Sequence, residues 1–339
     1  MLEECFNSSP YGLKLLFMKA YQLSRRNFQN QIHFYAPGMV HYDTSFFQAT
    51  NQFKFPAISI TGRRCWLNCE HCRGRLLESM IPVPTPERLL MVCELVKETG
   101  GFGCLISGGS LRDGSVPLKK FIPVMKRVKR ELGLKIVVHT GLIDRSTAEE
   151  LADTGVDAAM IDIIGSEETI REINHLDRDV DDFNYTLRVL EENRIPTVPH
   201  IVVGIHYGRL MGERRAVEML SGHKPMAVVI VAFMPLMNTL MEHINPPTPI
   251  DIARVILASR LTMPHTPIAL GCARPRGMHK AKTDALAIKA GANGIAYPSE
   301  EAYDLARRLR LSIKFHEGCC SLLWEALSLS GGEYVPTLW

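Results

Sequence analysis

Three cysteines fall within one short stretch, Cys65-Trp-Leu-Asn-Cys69-Glu-His-Cys72. The spacing is C-x3-C-x2-C, on a loop just past an apolar run. Three thiolates so placed can hold three corners of a cubic iron–sulfur cluster and leave the fourth iron without a protein ligand. An open iron of that kind can chelate the amino and carboxylate groups of a methionine moiety. Structural zinc asks instead for four ligands, usually in two pairs. No second pair stands at the usual distance, and His71 has a cysteine too near on either side to close such a site easily.

A second set of thiols is scattered. Cys272 follows the run Ile268–Leu270, and Cys319 and Cys320 are adjacent near the C-terminus. Neighbouring cysteines rarely bridge each other, because the ring is strained. If the C-terminal segment folds back to the end of that run, the three thiols can hold a second cluster, with Cys5 as a further ligand that nothing in the sequence places. The alternative is that Cys319 and Cys320 are incidental. Cys93 and Cys104 sit inside apolar stretches and read as core residues.

What must position these groups is an alternation of short apolar runs and amphipathic stretches. Eight runs read as strands: Ala57–Ile60, Cys104–Ile106, Lys135–Val138, Val156–Ile161, Thr197–Val203, Ala227–Phe233, Ile268–Leu270 and Gly294–Tyr297. Several are rich in Val and Ile on both faces, as parallel strands covered on both sides should be. Thr85-Pro86 reads as an N-cap and first helical position, and Thr154-Gly155 as a helix end. Eight strand–helix units predict an α/β fold, a (β/α)8 TIM-type barrel over residues 56–305; an open six-unit partial barrel is the alternative. Residues 1–55, with a helix from Gly12 to Arg26 and an extended piece His33–Tyr35, read as an N-terminal helical cap. Residues 306–339 form a C-terminal segment that brings Cys319 and Cys320 over the barrel mouth, and the chain from Ser328 reads as a loose tail.

A cysteine loop of this spacing after the first barrel strand resembles the signature of the radical S-adenosylmethionine (SAM) superfamily. That resemblance covers residues 56 to about 300 and implies a 4Fe–4S cluster on Cys65, Cys69 and Cys72 with SAM as cofactor. The position before the third cysteine is usually aromatic in the family, and His71 stands there. Strand two ends in Ser107-Gly108-Gly109-Ser110, where the family carries Gly-Gly-Glu against the methionine amino group; Ser110 replaces the glutamate. His139, Asp162 and His200 close later strands and are placed to touch cofactor or substrate, although a lone histidine at a strand end is as readily a packing residue. The region Gly271–Glu301 resembles the biotin-synthase-like subgroup and looks most like one subunit of the two-protein lipoyl synthase of archaea and some bacteria. Arg274 lies close to where biotin synthase has an arginine cluster ligand, with Cys272 the better ligand here. The cysteine-rich N-terminus and Arg-Ser-Ser-Tyr ending of single-chain lipoyl synthase are missing.

The resemblance implies sulfur insertion into an octanoyl chain from an auxiliary 4Fe–4S cluster held by Cys272, Cys319 and Cys320. It further implies an octanoylated carrier domain of lipoyl or glycine-cleavage H protein type, a second radical SAM protein, and a low-potential electron donor. A radical methylase, a metal-cofactor maturase and a non-catalytic iron–sulfur scaffold are the other readings. Composition sets outer bounds. The 339 residues are 46% hydrophobic and 22% charged, with 39 basic against 36 acidic residues, a net charge of +3. That balance gives no ground for nucleic acid or a membrane as main partner. Lys14 and Lys19 interrupt the first apolar stretch, so neither a signal peptide nor a span is expected. Nine cysteines, an odd number, argue against a disulfide framework and point to a cytoplasmic protein.

Overall fold

The computed structural model describes residues 1–38, 40–48 and 51–329. Its strands are β1 (Gln31–Tyr35), β2 (Ala57–Ser59), β3 (Ile81–Pro82), β4 (Gly103–Ser107), β5 (Lys135–His139) and β6 (Ala158–Met160). They continue with β7 (His200–Val203), β8 (Val228–Ala232), β9 (Ile268–Leu270), β10 (Gly294–Ala296) and β11 (Ser312–His316). Each of the eight expected runs overlaps one of β2 and β4 to β10, with β4 and β5 slightly longer than the runs that mark them. The strands pair in two sheets, β3-β2-β4-β5-β6 and β7-β8-β9-β10-β1-β11, and every ladder is parallel. Parallel bridges Ala159–Thr197 and Asp162–His200 join β6 to β7, so the order runs without a break from β3 to β11. No ladder joins those two ends among the described residues. At that seam Gly318 lies against Phe102 and Phe55.

Side chains alternate along each strand as the pleat requires. Ile136 and Val138 face the outer helices, while Val137 faces inward; Val228 and Ile230 pack outward, Val229 and Val231 inward. Cys93 and Cys104 lie fully buried in the layer between β4 and its neighbouring helices. The helices begin where the sequence says: Thr85 Oγ1 accepts the Arg88 N–H ahead of Pro86–Glu98, and Asp144 accepts from Thr147 ahead of Arg145–Ala152.

Two segments do more than expected. The extended piece His33–Tyr35 is not part of a cap but belongs to β1, a buried strand between β10 and β11. Its polar residues hid it: His33 is buried because its Nδ1 hydrogen-bonds Nε2 of His316 on β11, 2.9 Å away. The C-terminal segment reaches the mouth and then continues inward. Cys320, Leu322, Leu323 and Leu327 pack among the inward-facing Val137, Ala158, Met160, Val229 and Ala296. Glu325 pairs with Lys135 at the start of β5, so the segment runs down the interior as a plug. Small residues at Ala158, Ala269 and Ala296 leave it room. Ser328 lies in the last helix, Leu323–Leu329, and residues 330–339 fall outside the described residues. No described helix is long and apolar enough to cross a membrane.

One buried cation ties the N-terminal helix Pro10–Phe28 to the barrel. Arg260 is wholly buried; its Nε donates to Gly291 O at 3.2 Å and its Nη1 to Pro264 O and Thr266 O at 2.9 and 3.0 Å. Its Nη2 donates to Asn293 Oδ1, and the guanidinium stacks 4.7 Å from the Phe28 ring centroid. Burial draws Arg260 down to about 9, yet the carbonyls around it keep the cation in place. Arg260→Leu should therefore strand several buried acceptors and lower the unfolding free energy by about 3 kcal/mol or more. Urea denaturation checks this; an unchanged midpoint would refute it.

Candidate active site

All strands run the same way, so the loops after their C-terminal ends share one mouth. The cysteine loop follows β2 and is clamped from two sides. On one side the loop backbone lies on Gly109, where a Cβ would come within 2.0 Å of Arg64 O and 2.7 Å of Cys65 Cβ. Trp66 N–H donates to Ser110 O at 2.9 Å, and Gly109 N–H donates to Thr61 Oγ1 at 2.7 Å. On the other side Glu70 N–H donates to Ile173 O, Asn174 Nδ2 lies 3.8 Å from Cys69 Sγ, and His175 bridges Leu67 O and Glu70 Oε1. The turn closes through Arg73 and Gly74, both at positive φ.

The thiols converge without collapsing onto one point. The nearby Cys69 thiol, against the cost of burial and with help from His71, holds Cys72 well below the usual thiol range, while Cys69 Sγ itself donates to Asn174 O at 3.7 Å. Cys69 is pushed up correspondingly by the Cys72 thiol and by burial. Among the described residues, the one group of three metal-type ligands whose atoms all lie within 4.8 Å of each other is Glu168, Glu172 and His206 on the rim. Neither cysteine triad is that tight. Sulfurs around a single zinc would be; a cubic cluster sets its corners wider.

Behind the loop lies a polar hollow. His139 Nε2 is 3.6 Å from Asp162 Oδ2, and the rings of His139 and His200 are 6.1 Å apart. Burial opposes the charge on Asp162, but His139, then His200 and His71, outweigh it and hold the carboxyl at about 2. His139 is raised because Asp162 overcomes the cost of burial, whereas burial wins at His200 and draws it down to about 4. Asp162 keeps 45% of its side-chain surface accessible although protein surrounds it, so it faces open space among the strand ends. Nδ1 of His71 and Nδ1 of His200 are buried with no hydrogen-bond partner. The hollow thus offers a carboxylate and unsatisfied imidazoles to a polar guest.

The second set of cysteines reaches the same mouth. Cys319 Sγ donates to Ser321 Oγ at 3.3 Å; the adjacent Cys320 thiol, and then that hydroxyl, outweigh burial and hold Cys319 below the usual thiol range. Cys320 is driven up by the Cys319 thiol beside it, by burial, and by the charges of Cys319 and Cys272. Cys272 is raised by burial and then by Cys319. Cys272, Cys319 and Cys320 thus lie within electrostatic reach of one another. Cys5 lies elsewhere, in the helix Leu2–Asn7 against the outer helix layer.

Arg274, expected to face the cofactor, is turned into the protein. Its Nε and Nη2 hold Asp284 at 2.7 and 3.0 Å, and the remaining donors reach Gly271 O and Tyr297 O. Asp284 also accepts the Ser299 N–H at 2.8 Å, so this buried pair braces the loops after β9 and β10 and with them Cys272. Sequence reading missed Asp284 because nothing marks a buried acid inside an amphipathic helix. It also missed Glu213, which accepts the Gly204 N–H at 2.7 Å and ties the loop after β7 to the next helix.

Residues 59–209 match the family described as the Radical SAM superfamily. Biotin synthase of Allorhizobium ampelinum is 26% identical over 219 residues, covering 62% of this chain and 64% of that protein. Biotin synthases of Synechococcus sp. and Halorhodospira halophila are 26% and 27% identical, covering 71% and 70% of this chain and 74% and 73% of theirs. The chain thus spans a little under two thirds to about three quarters of these relatives' lengths. Among solved structures, methylornithine synthase superposes with a TM-score of 0.62 at 17% identity, over 96% of this chain and 95% of that one. The FeFe-hydrogenase maturase HydG gives 0.65 at 13%, over 97% and 74%. Those likenesses are of fold.

Two outcomes follow from the geometry. Gly109→Ala forces the Arg64–Cys65 backbone away, so reconstituted protein should lose most of the iron held by the loop while its circular dichroism stays native; wild-type iron content would refute the clamp. Burial, opposed by the Gly204 N–H, raises Glu213 from 4.5 to about 7. Between those values the folded chain holds a proton the unfolded chain has released, so stability falls as pH rises through the window, by up to about 3 kcal/mol. Glu213→Gln should flatten that slope in urea midpoints taken at pH 5 and 8.

Proposed function

We propose that this chain is a radical SAM enzyme of the biotin-synthase-like kind, a reading supported by the match over residues 59–209 and by the biotin synthase relatives, and that it inserts sulfur into an octanoyl chain borne on a protein lysine, as one subunit of a two-protein lipoyl synthase. The observation that carries this reading is that Cys272, from the loop after β9, comes within electrostatic reach of Cys319 and Cys320, from the C-terminal plug.

The chain fits the groups this chemistry requires. Cys65, Cys69 and Cys72 would hold one 4Fe–4S cluster, with the backbone around Gly109 shaped to admit the loop. The hollow of His71, His139, Asp162 and His200 offers unsatisfied polar atoms to SAM. Cys272, Cys319 and Cys320 would hold an auxiliary 4Fe–4S cluster. When bound, these groups supply a carbon-centred radical able to take hydrogen from an unactivated carbon, and sulfide to replace it. The protein's share is placement and exclusion of water. Gly109 and Ser110 fix the height of the cysteine loop over the hollow. Arg274 and Asp284 hold the Cys272 loop, and the plug closes the floor. C–H cleavage asks no general base of the chain, so the polar groups serve binding. The substrate would be an octanoylated carrier domain, with a second radical SAM protein adding the other sulfur and a low-potential donor supplying electrons.

The test separates the two cysteine sets. A Cys65→Ala, Cys69→Ala, Cys72→Ala variant should lose SAM cleavage but keep about four irons per chain. A Cys272→Ala, Cys319→Ala, Cys320→Ala variant should still release 5′-deoxyadenosine when reduced, while mass spectrometry finds no sulfur added to an octanoylated carrier domain. If the first variant binds no iron, sulfur insertion is withdrawn.

A further inference from the structure

One group of side chains on the rim has no part in either cysteine site. Glu168 and Glu172 stand one turn apart on the helix Glu167–Glu172, and His206 reaches them from the loop after β7. A ligand atom from each lies within 4.8 Å of the other two. The three come from separate segments of chain, so their meeting is not the by-product of one helix face.

The histidine sets this group apart from a pair of surface acids. His206 is only 6% exposed, although it stands on a loop. Its Nδ1 lies 3.2 Å from the hydroxyl of Thr169, which is wholly buried. Its Nε2 makes no hydrogen bond among the described residues and faces Glu168 Oε1 at 3.8 Å, too far for one. When Nδ1–H donates to Thr169 Oγ1, Nε2 presents its lone pair to the carboxylates. Metal-binding imidazoles are held in this way, one nitrogen fixed by a protein acceptor and the other left for the ion. The turn that carries His206 is tight, with Gly204, Tyr207 and Gly208 at positive φ.

The two carboxylates are unspent. Their neighbour Glu167 accepts the Val180 N–H at 3.2 Å and pairs with Arg215 at 3.3 Å. Among the described residues, neither Glu168 nor Glu172 pairs with a lysine or arginine. Acids one turn apart repel each other and weaken a helix, and a cation between them reverses the sign. One imidazole nitrogen and two carboxylate oxygens suit Zn2+, with bonds of about 2 Å and ligand atoms roughly 3.3 Å apart. Both glutamates are exposed, so their side chains can turn to close the remaining gap.

We propose that Glu168, Glu172 and His206 form a site for one divalent ion of the zinc type, with water completing its shell. The ion joins the helix that leads to residues 173–175 to the loop after β7. Nothing in this depends on what the barrel mouth acts upon.

The test uses the full-length chain with its iron–sulfur clusters reconstituted, so that the thiols are occupied. Mn2+ is the probe, because a hard ion avoids thiolates, and Zn2+ is the competitor. A single Mn2+ per chain should bind, read as loss of the free-ion electron paramagnetic resonance signal, and stoichiometric Zn2+ should displace it. His206→Ala, and Glu168→Gln with Glu172→Gln, should each weaken Mn2+ binding tenfold or more. Thr169→Val, which removes only the group that orients the imidazole, should weaken it about tenfold. Native circular dichroism and cluster iron in these variants show that the fold is kept. Binding within twofold of wild type in His206→Ala overturns the proposal even where the glutamine variant loses it, because surface carboxylates alone would then hold the ion. Failure of the wild type to bind, or bound Mn2+ that Zn2+ does not displace, overturns it too. Anomalous diffraction at the zinc edge needs no variant: a peak between the three side chains in crystals grown with Zn2+ supports the site, and its absence refutes it.

Discussion

Every ladder in this structure is parallel, and that one constraint organises the rest. A parallel pair cannot be joined by a tight turn, so each connection must cross back outside the sheet, here mostly as a helix. The strand C-termini are then left to face the same way, each ending in a loop free of packing duties. Cys65, Gly109, His139, Asp162 and Cys272 come from five different loops or strand ends and share a face because their strands share a direction; His200, expected to close a strand, instead opens β7 and reaches them through its parallel bridge to Asp162. A site assembled from so many loops needs no further device to gather its parts, only a register that holds.

The parts are then fixed by small, local means. A missing side chain at Gly109 lets one loop lie on another. A buried arginine and aspartate hold the loop of Cys272 from beneath, where an exposed pair would contribute little. The hollow is polar because Asp162 and its histidines balance one another's charge, so that a carboxylate persists where burial alone would neutralise it.

How much of this could be read from the sequence followed from how local the signal was. The eight apolar runs declared themselves because a strand covered on both faces cannot tolerate polar residues. β1 and β11 escaped because their histidines satisfy each other across the ladder, an arrangement visible only once both strands are in place. The C-x3-C-x2-C loop was legible because its ligands are contiguous. The gathering of Cys272 with Cys319 and Cys320 rested on an expectation of where the C-terminal segment would go. Arg274 misled for the opposite reason: its position in the chain suggested a ligand, while its true partner, Asp284, sits on a helix with no motif to announce it. The Gly109 clamp was half visible, since paired glycines signal close approach but do not say of what.

The plug carries a consequence in time. All the described strands precede the plug in the chain, so a wall built from them has an unfilled interior until Leu322, Leu323 and Leu327 enter it. Until then the inward faces of β5, β8 and β10 are wet, and Cys272 stands apart from Cys319 and Cys320. The cysteine loop is framed as soon as β2, β4 and the stretch at residues 173–175 have met, whereas the thiols that neighbour Cys272 arrive only with the plug. On the proposed reading the two cysteine-held metal centres would therefore be completed in sequence, the cysteine loop first.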